Sequence, residues 1–197
     1  FPYTTLFRSL RMKADLHIHT CASDGNWTPE ELILEAQKVG LGALAVTDHD
    51  SVVNVAEAQR LAKEAGLKFI PAAEICSTKN DISFHILGYG IDITNKPLLE
   101  LLNHNEALLD QKDVDSIAML ERDGWDVSVA EFEHYTYDRR RGGWRSLAYL
   151  IDKGLCVDVV DFFKRIFTKE HDLAFPEFPS IPEVIKTIHG AGGVALC

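Results

Sequence analysis

The chain has 197 residues, 46% hydrophobic and 25% charged, which suits one sizeable globular core with room for a small second module. Its formal net charge of -10 at pH 7 argues against binding to duplex nucleic acid. A phosphorylated substrate stays open, because bound cations reverse the local sign of a site. No apolar run approaches the ~20 residues that cross a bilayer. The four cysteines are scattered and form no CxxC pair, which points to reduced thiols in a cytoplasmic protein.

In chain order, Phe1 to Ser9 reads like a translated sequencing adaptor, so residues 1–11 are expected to be a non-native leader and Met12 the natural start. From Ala14 to Ile18 apolar residues alternate with Asp15, His17 and His19, the period of a strand. Thr28-Pro29-Glu30-Glu31 predicts a helix start, with Thr28 as N-cap and Glu31 closing a capping box. That helix runs to about Val39 and ends at Gly40. Leu41 to Val46 predicts a strand covered on both faces, Val52 to Ala65 a second helix, and Leu67 to Ile70 a third strand. This β-α-β-α-β alternation predicts an α/β fold with a parallel sheet and right-handed crossovers.

Ile82 to Tyr89 reads as a fourth strand after a turn at Lys79-Asn80-Asp81. From Lys96 to about Arg122 the apolar positions follow a helical stripe. Shorter helices are expected over Val129–His134, Trp144–Asp152 and Asp158–Ile166. Residues 94–174 thus read as an all-helical insertion in a unit that occupies 12–93 and resumes over 175–197. A last helix, Pro182 to His189, leads into a strand begun by Gly192-Gly193-Val194.

The chemistry-bearing residues gather where the strands end. His17 and His19 project from one strand face with backbones about 6.5–7 Å apart, close enough for both imidazoles to reach one cation. Asp24 supplies a carboxylate from the following loop. Ligands collect at the carboxyl ends of parallel strands, so His49 in Thr47-Asp48-His49-Asp50 falls at the same end as His19. Asp48 and Asp50 are expected to cap or support, and either can orient the His49 ring. Glu74, charged among apolar neighbours, needs a cation to be buried. His85 joins the set from the fourth strand. Cys21 and Cys76 are expected to point away from it.

The ordered set His17-Ile18-His19, Asp24, Thr47-Asp48-His49, Glu74 and His85 resembles the PHP family, named for polymerase and histidinol phosphatase. The resemblance implies an incomplete, distorted (β/α)7 barrel with an all-helical insertion, and two or three divalent metal ions at the strand ends. It also implies that His17 and His19 hold one metal, that Glu74 bridges two and that His85 serves the second. Asp24 and His49 complete a third site or share in the others. Mixed His and carboxylate ligation suits Mn, Zn or Fe.

Within the family, the match is to the branch with a helical insertion, which includes nucleoside-phosphate phosphatases and exonucleases on short oligoribonucleotides. The reaction implied is phosphate-ester hydrolysis by a metal-bound water, with no catalytic side chain assigned. A histidinol-phosphatase-like monoesterase and a non-catalytic, metal-binding or polymerase-associated module are the alternatives. The implied partners are a small phosphorylated substrate or a short oligonucleotide, with no membrane.

Many relatives of that branch carry a histidine in the insertion, where this chain reads Arg141-Gly142-Gly143-Trp144-Arg145-Ser146. Arg145 is the preferred contact for substrate phosphate. Family ligands that follow the Gly-Gly-Val-Ala segment would lie beyond Cys197, so the 197 residues alone are expected to be an inactive fragment.

Overall fold

The computed structural model describes residues 12–171 and 173–197; the expected leader over residues 1–11 lies outside them. Strands β1 (Ala14–Ile18), β2 (Ala43–Val46) and β3 (Lys68–Lys79) pair in parallel. Strands β4 (Ile82–Tyr89) and β5 (Val194–Leu196) continue the sheet antiparallel, in the order β1-β2-β3-β4-β5. The α/β class read from the sequence is therefore observed as a five-stranded sheet.

Helices α1 (Pro29–Lys38) and α2 (Val55–Glu64) make the two crossovers between the parallel strands. The capping box of α1 is formed: the Glu31 N–H donates to Thr28 Oγ1 at 3.4 Å, and the Thr28 N–H donates to Glu31 Oε2 at 3.0 Å. Such a cap stabilises a helix by about 1 kcal/mol. Leu32, Ile33 and Ala36 of α1 join Val55, Ala58 and Ala62 of α2 in one cluster with Leu44 and Val46 of β2.

The third strand runs well past Ile70, where the sequence places its end. The Pro71 carbonyl accepts from the Gly90 N–H at 2.7 Å, so its missing N–H faces the β4 side at the very start of that ladder, one residue before the Ala72–Tyr89 pair. Beyond it β3 turns back into β4 through Asn80 and Asp81, both at positive φ (52° and 60°). A two-residue turn of this kind favours Asn and Asp and fixes the hairpin register. Glu74 thus lies inside a strand, and the Cys76–His85 pair stands face to face in the ladder.

Helix α3 (Lys96–Arg122) matches its expected limits and joins two cores. Leu98 and Leu102 pack under the sheet with Ile75 and Ile86, whereas Ile117 and Leu120 pack with Phe132, Tyr149 and Leu150. Those last residues come from α4 (Val129–His134) and α5 (Arg145–Asp152). Helix α6 is only Val159–Asp161 and passes into a π-turn over Phe162–Ile166, where one continuous helix was expected. The wider turn sits in an aromatic stack, with Phe162 against Trp144, Phe163 and Phe167. Helix α7 (Ile181–Gly190) places Val184 and Ile188 in the core under the sheet.

Candidate metal centre

Three stretches of backbone bring the ligand-type residues together. Strand β1 delivers His17 and the residue after its end delivers His19. Past Val46 the chain stays beside β3: the Glu74 N–H donates to the Asp48 carbonyl at 3.2 Å and the Asp50 N–H to the Glu74 carbonyl at 2.8 Å. His49 and Glu74 are thereby bridge partners. The β3–β4 hairpin adds His85.

Glu74 is the hub. Its side chain is 8% exposed. Oε2 lies 3.0 Å from His17 Nε2, 2.9 Å from His19 Nε2 and 3.7 Å from His49 Nδ1, while Oε1 lies 3.1 Å from His85 Nδ1. Asp24 closes the other side, with Oδ1 2.6 Å from His19 Nδ1 and Oδ2 3.9 Å from His49 Nε2. The structure thus brings together the six residues singled out from the sequence.

Ligand atoms fall into three groups whose members lie within 4.8 Å of one another: His17, His19 and Glu74; His19, Asp24 and His49; and His49, Cys76 and His85.

Burial disfavours a charged His19, but hydrogen bonds to Asp24 and Glu74 outweigh it and raise its pKa to about 10. Burial also disfavours an ionised Glu74, yet bonds from His19 and His85 hold its carboxyl far below the usual range. His85 is raised, chiefly by its bond to Glu74, whereas burial lowers His49.

The donor set fits divalent cations. One carboxylate faces four imidazoles, and His17 Nε2 and His19 Nε2 lie only 3.1 Å apart. His49 Nδ1 is buried without a hydrogen-bond partner. A cation among them satisfies atoms that otherwise need shared protons.

Surrounding groups hold the ligands. The Asp48 carboxylate accepts from the Thr20 N–H (2.7 Å), Thr20 Oγ1 (2.6 Å) and Ser23 Oγ (2.6 Å), fixing the loop that carries Asp24. Asp50 accepts from the Cys76 N–H at 3.1 Å and from Asn105 Nδ2 at 2.7 Å. Both aspartates therefore support the site through backbone and loop contacts, and neither pairs with the His49 ring. Gly25 packs against the turn so closely that a Cβ there would come within 2.3 Å of the His19 carbonyl oxygen.

Two expectations need correction. Arg145 is engaged inside the helical region: Nε donates to the Tyr135 carbonyl at 3.2 Å, Nη2 donates to the Phe132 carbonyl, and the guanidinium covers the Phe132 ring. At the end of α4 Arg145 thus binds the Tyr135 carbonyl and shares the Phe132 carbonyl with the Tyr135 N–H, which donates to it at 3.0 Å. Of the neighbouring arginines, Arg139 reaches the ligand loop, donating Nη1 to the Ala22 carbonyl at 2.9 Å. Cys76 also departs from expectation, because it grouped with His49 and His85. It follows Glu74 by two residues in a strand, so the two share a face; that spacing was the signal to use.

The PHP domain family matches the chain over residues 15–170. The chain is 34% identical over 194 residues to a 5'-3' exoribonuclease of Haemophilus influenzae, covering 93% of this chain and 67% of that one. It is 28% identical over 187 residues to a 3',5'-nucleoside bisphosphate phosphatase of Chromobacterium violaceum, covering 92% and 65%. A solved structure from Bifidobacterium adolescentis, assigned as a metal-dependent phosphoesterase, superposes with a TM-score of 0.79 at 26% identity, covering 94% and 66%. The chain spans about two thirds of the length of these relatives. With its ligand-type residues gathered around Glu74 on this shared fold, the chain belongs to the PHP domain family.

Proposed function

We propose that the protein hydrolyses phosphate esters of nucleosides or of short oligoribonucleotides with the help of divalent metal ions. The observation that carries this reading is the convergence of four imidazoles on the two oxygens of Glu74. The relatives named above act, by their names, on RNA ends and on nucleoside bisphosphates, which supports the substrate class.

Bound divalent cations would supply Lewis acidity and an activated water. The chain's own residues do the rest. His17, His19 and Glu74 form one cation-holding group, His19, Asp24 and His49 another, and the third contains His49 and His85. Glu74 faces His17 and His19 with one oxygen and His85 with the other, a placement suited to bridging two positions. These overlapping groups are compatible with two or three cations, with Mn, Zn or Fe suited to the donors. Asp48 keeps the Asp24 loop in place while substrate enters. Arg139, anchored to the Ala22 carbonyl, brings positive charge beside the loop that carries Asp24.

The five strands are read as part of the distorted (β/α)7 barrel expected from the family, with residues 94–174 as the inserted helical unit. The superposition on structures of greater length supports that reading. No helix among the described residues is long and apolar enough to cross a membrane. The free thiols of Cys21, Cys76, Cys156 and Cys197 fit a reducing, cytoplasmic setting.

The test is metal-dependent release of phosphate from nucleoside 3',5'-bisphosphates and of mononucleotides from short oligoribonucleotides by the protein. Turnover is expected with Mn²⁺ and lost in both His17→Ala and Glu74→Ala. Undiminished turnover in Glu74→Ala would contradict the reading.

A further inference from the structure

Cys76 has an environment unlike that of a core cysteine. Cys156, equally buried, packs in the apolar cluster of the helical region, whereas Cys76 belongs to none of the three apolar clusters among the described residues. Its sulfur, a His49 nitrogen and a His85 nitrogen lie within 4.8 Å of one another. The β3–β4 ladder sets Cys76 directly opposite His85, a pairing that holds side chains about 4.5–5.5 Å apart at Cβ.

The backbone of Cys76 is fixed at both ends. Its N–H donates to Asp50 Oδ1 at 3.1 Å, and its carbonyl accepts from Asn105 Nδ2 at 2.9 Å. His49 Nδ1, on the same side of the cluster as Glu74, is buried with no hydrogen-bond partner. Two imidazoles and a sulfur are thus held together at a position with an unfilled donor need.

We propose that Cys76, with His49 and His85, forms a sulfur-containing cation position that biases this centre toward zinc over manganese. Thiolate is a soft ligand that suits zinc, and harder carboxylate and water donors suit manganese. A cation that binds the sulfur displaces its proton to solvent. The proposal rests on the metal reading of the whole cluster, and the experiment separates the two.

The test loads the 197-residue chain with Zn²⁺ for X-ray absorption and with Co²⁺ for optical spectroscopy. The expected result is a sulfur neighbour at ~2.3 Å beside nitrogens at ~2.0–2.1 Å, with a matching thiolate-to-cobalt charge-transfer band. Both signals must persist in Cys21→Ser and vanish in Cys76→Ser. Zn²⁺ affinity is expected to fall by ~10- to 100-fold in Cys76→Ser, the range that even supporting residues command at such sites. Mn²⁺ affinity is expected to change far less. A metal-loaded native chain with nitrogen and oxygen neighbours only overturns the sulfur position and leaves the metal centre standing. A sulfur signal that survives Cys76→Ser also overturns it. A chain that takes up neither Zn²⁺ nor Co²⁺ overturns both readings.

Discussion

Glu74 Oε2 and His17 Nε2 meet at 3.0 Å although 57 residues separate them in the chain. One belongs to β3 and the other to β1, with β2 between them in the sheet. Contact across an intervening strand requires that the sheet curl. It does: Tyr89 of β4 donates its hydroxyl to the Leu16 carbonyl of β1 at 2.8 Å. The ligand cluster therefore depends on sheet curvature as much as on the ligands themselves.

Metal binding and protonation compete at this cluster. The pKa of His19, raised from 6.5 to about 10, means its pairing stabilises the metal-free chain fully below 6.5 and ceases to as pH rises toward 10. Glu74, depressed from 4.5, contributes above that value and loses the contribution only in strong acid. The metal-free cluster is thus best paired between these ordinary values, and a cation must displace protons from His19. The rise in Tm on adding Zn²⁺ is expected to be larger at about pH 8 than at about pH 6. Thermal scans at the two pH values check this; an equal rise at both would count against it.

Asp48 organises the ligand loop through three bonds to Thr20 and Ser23. Asp48→Ala leaves three buried or half-buried donors without their acceptor, an expected cost of about 3 kcal/mol in unfolding free energy. Because Asp24 rides on that loop, metal affinity is expected to drop ~10- to 100-fold as well. Urea unfolding and metal titration of the variant measure the two effects separately.

Much of this was legible in the sequence because its causes are local. The capping box of α1, the limits of α3, the turn at Asn80-Asp81 and the strand alternation that aims His17 at the site each depend on a few adjacent residues. The length of β3 was not legible, because Pro71 is tolerated only where its missing N–H meets the end of the β4 ladder. Arg145 was misread for a similar reason: the carbonyls it binds, those of Phe132 and Tyr135, are brought beside it only by the packing of α4 against α5. Cys76 was a different case, since its two-residue offset from Glu74 was enough to place it.

Asp113 offers a check on the helical region that is independent of metal. It accepts from the Ser146 N–H at 2.9 Å and from Ser146 Oγ at 2.6 Å. Burial outweighs these bonds and raises its pKa from 3.8 to about 6. The folded chain therefore holds a proton that the unfolded chain releases, so stability falls as pH rises through this window. The change is on the order of a few kcal/mol. Asp113→Asn is expected to flatten the dependence of Tm on pH between about 4 and about 6. A slope unchanged by the substitution would contradict the assignment.

Whether Glu74 gathers the surrounding histidines into a metal centre is read by calorimetric titration of the chain with Zn²⁺. The native chain is expected to take up at least one equivalent tightly, and Glu74→Gln, which keeps the shape but removes the charge, to bind ~100-fold more weakly. Equal affinity in the two proteins, or no uptake by a folded native chain, would contradict that expectation.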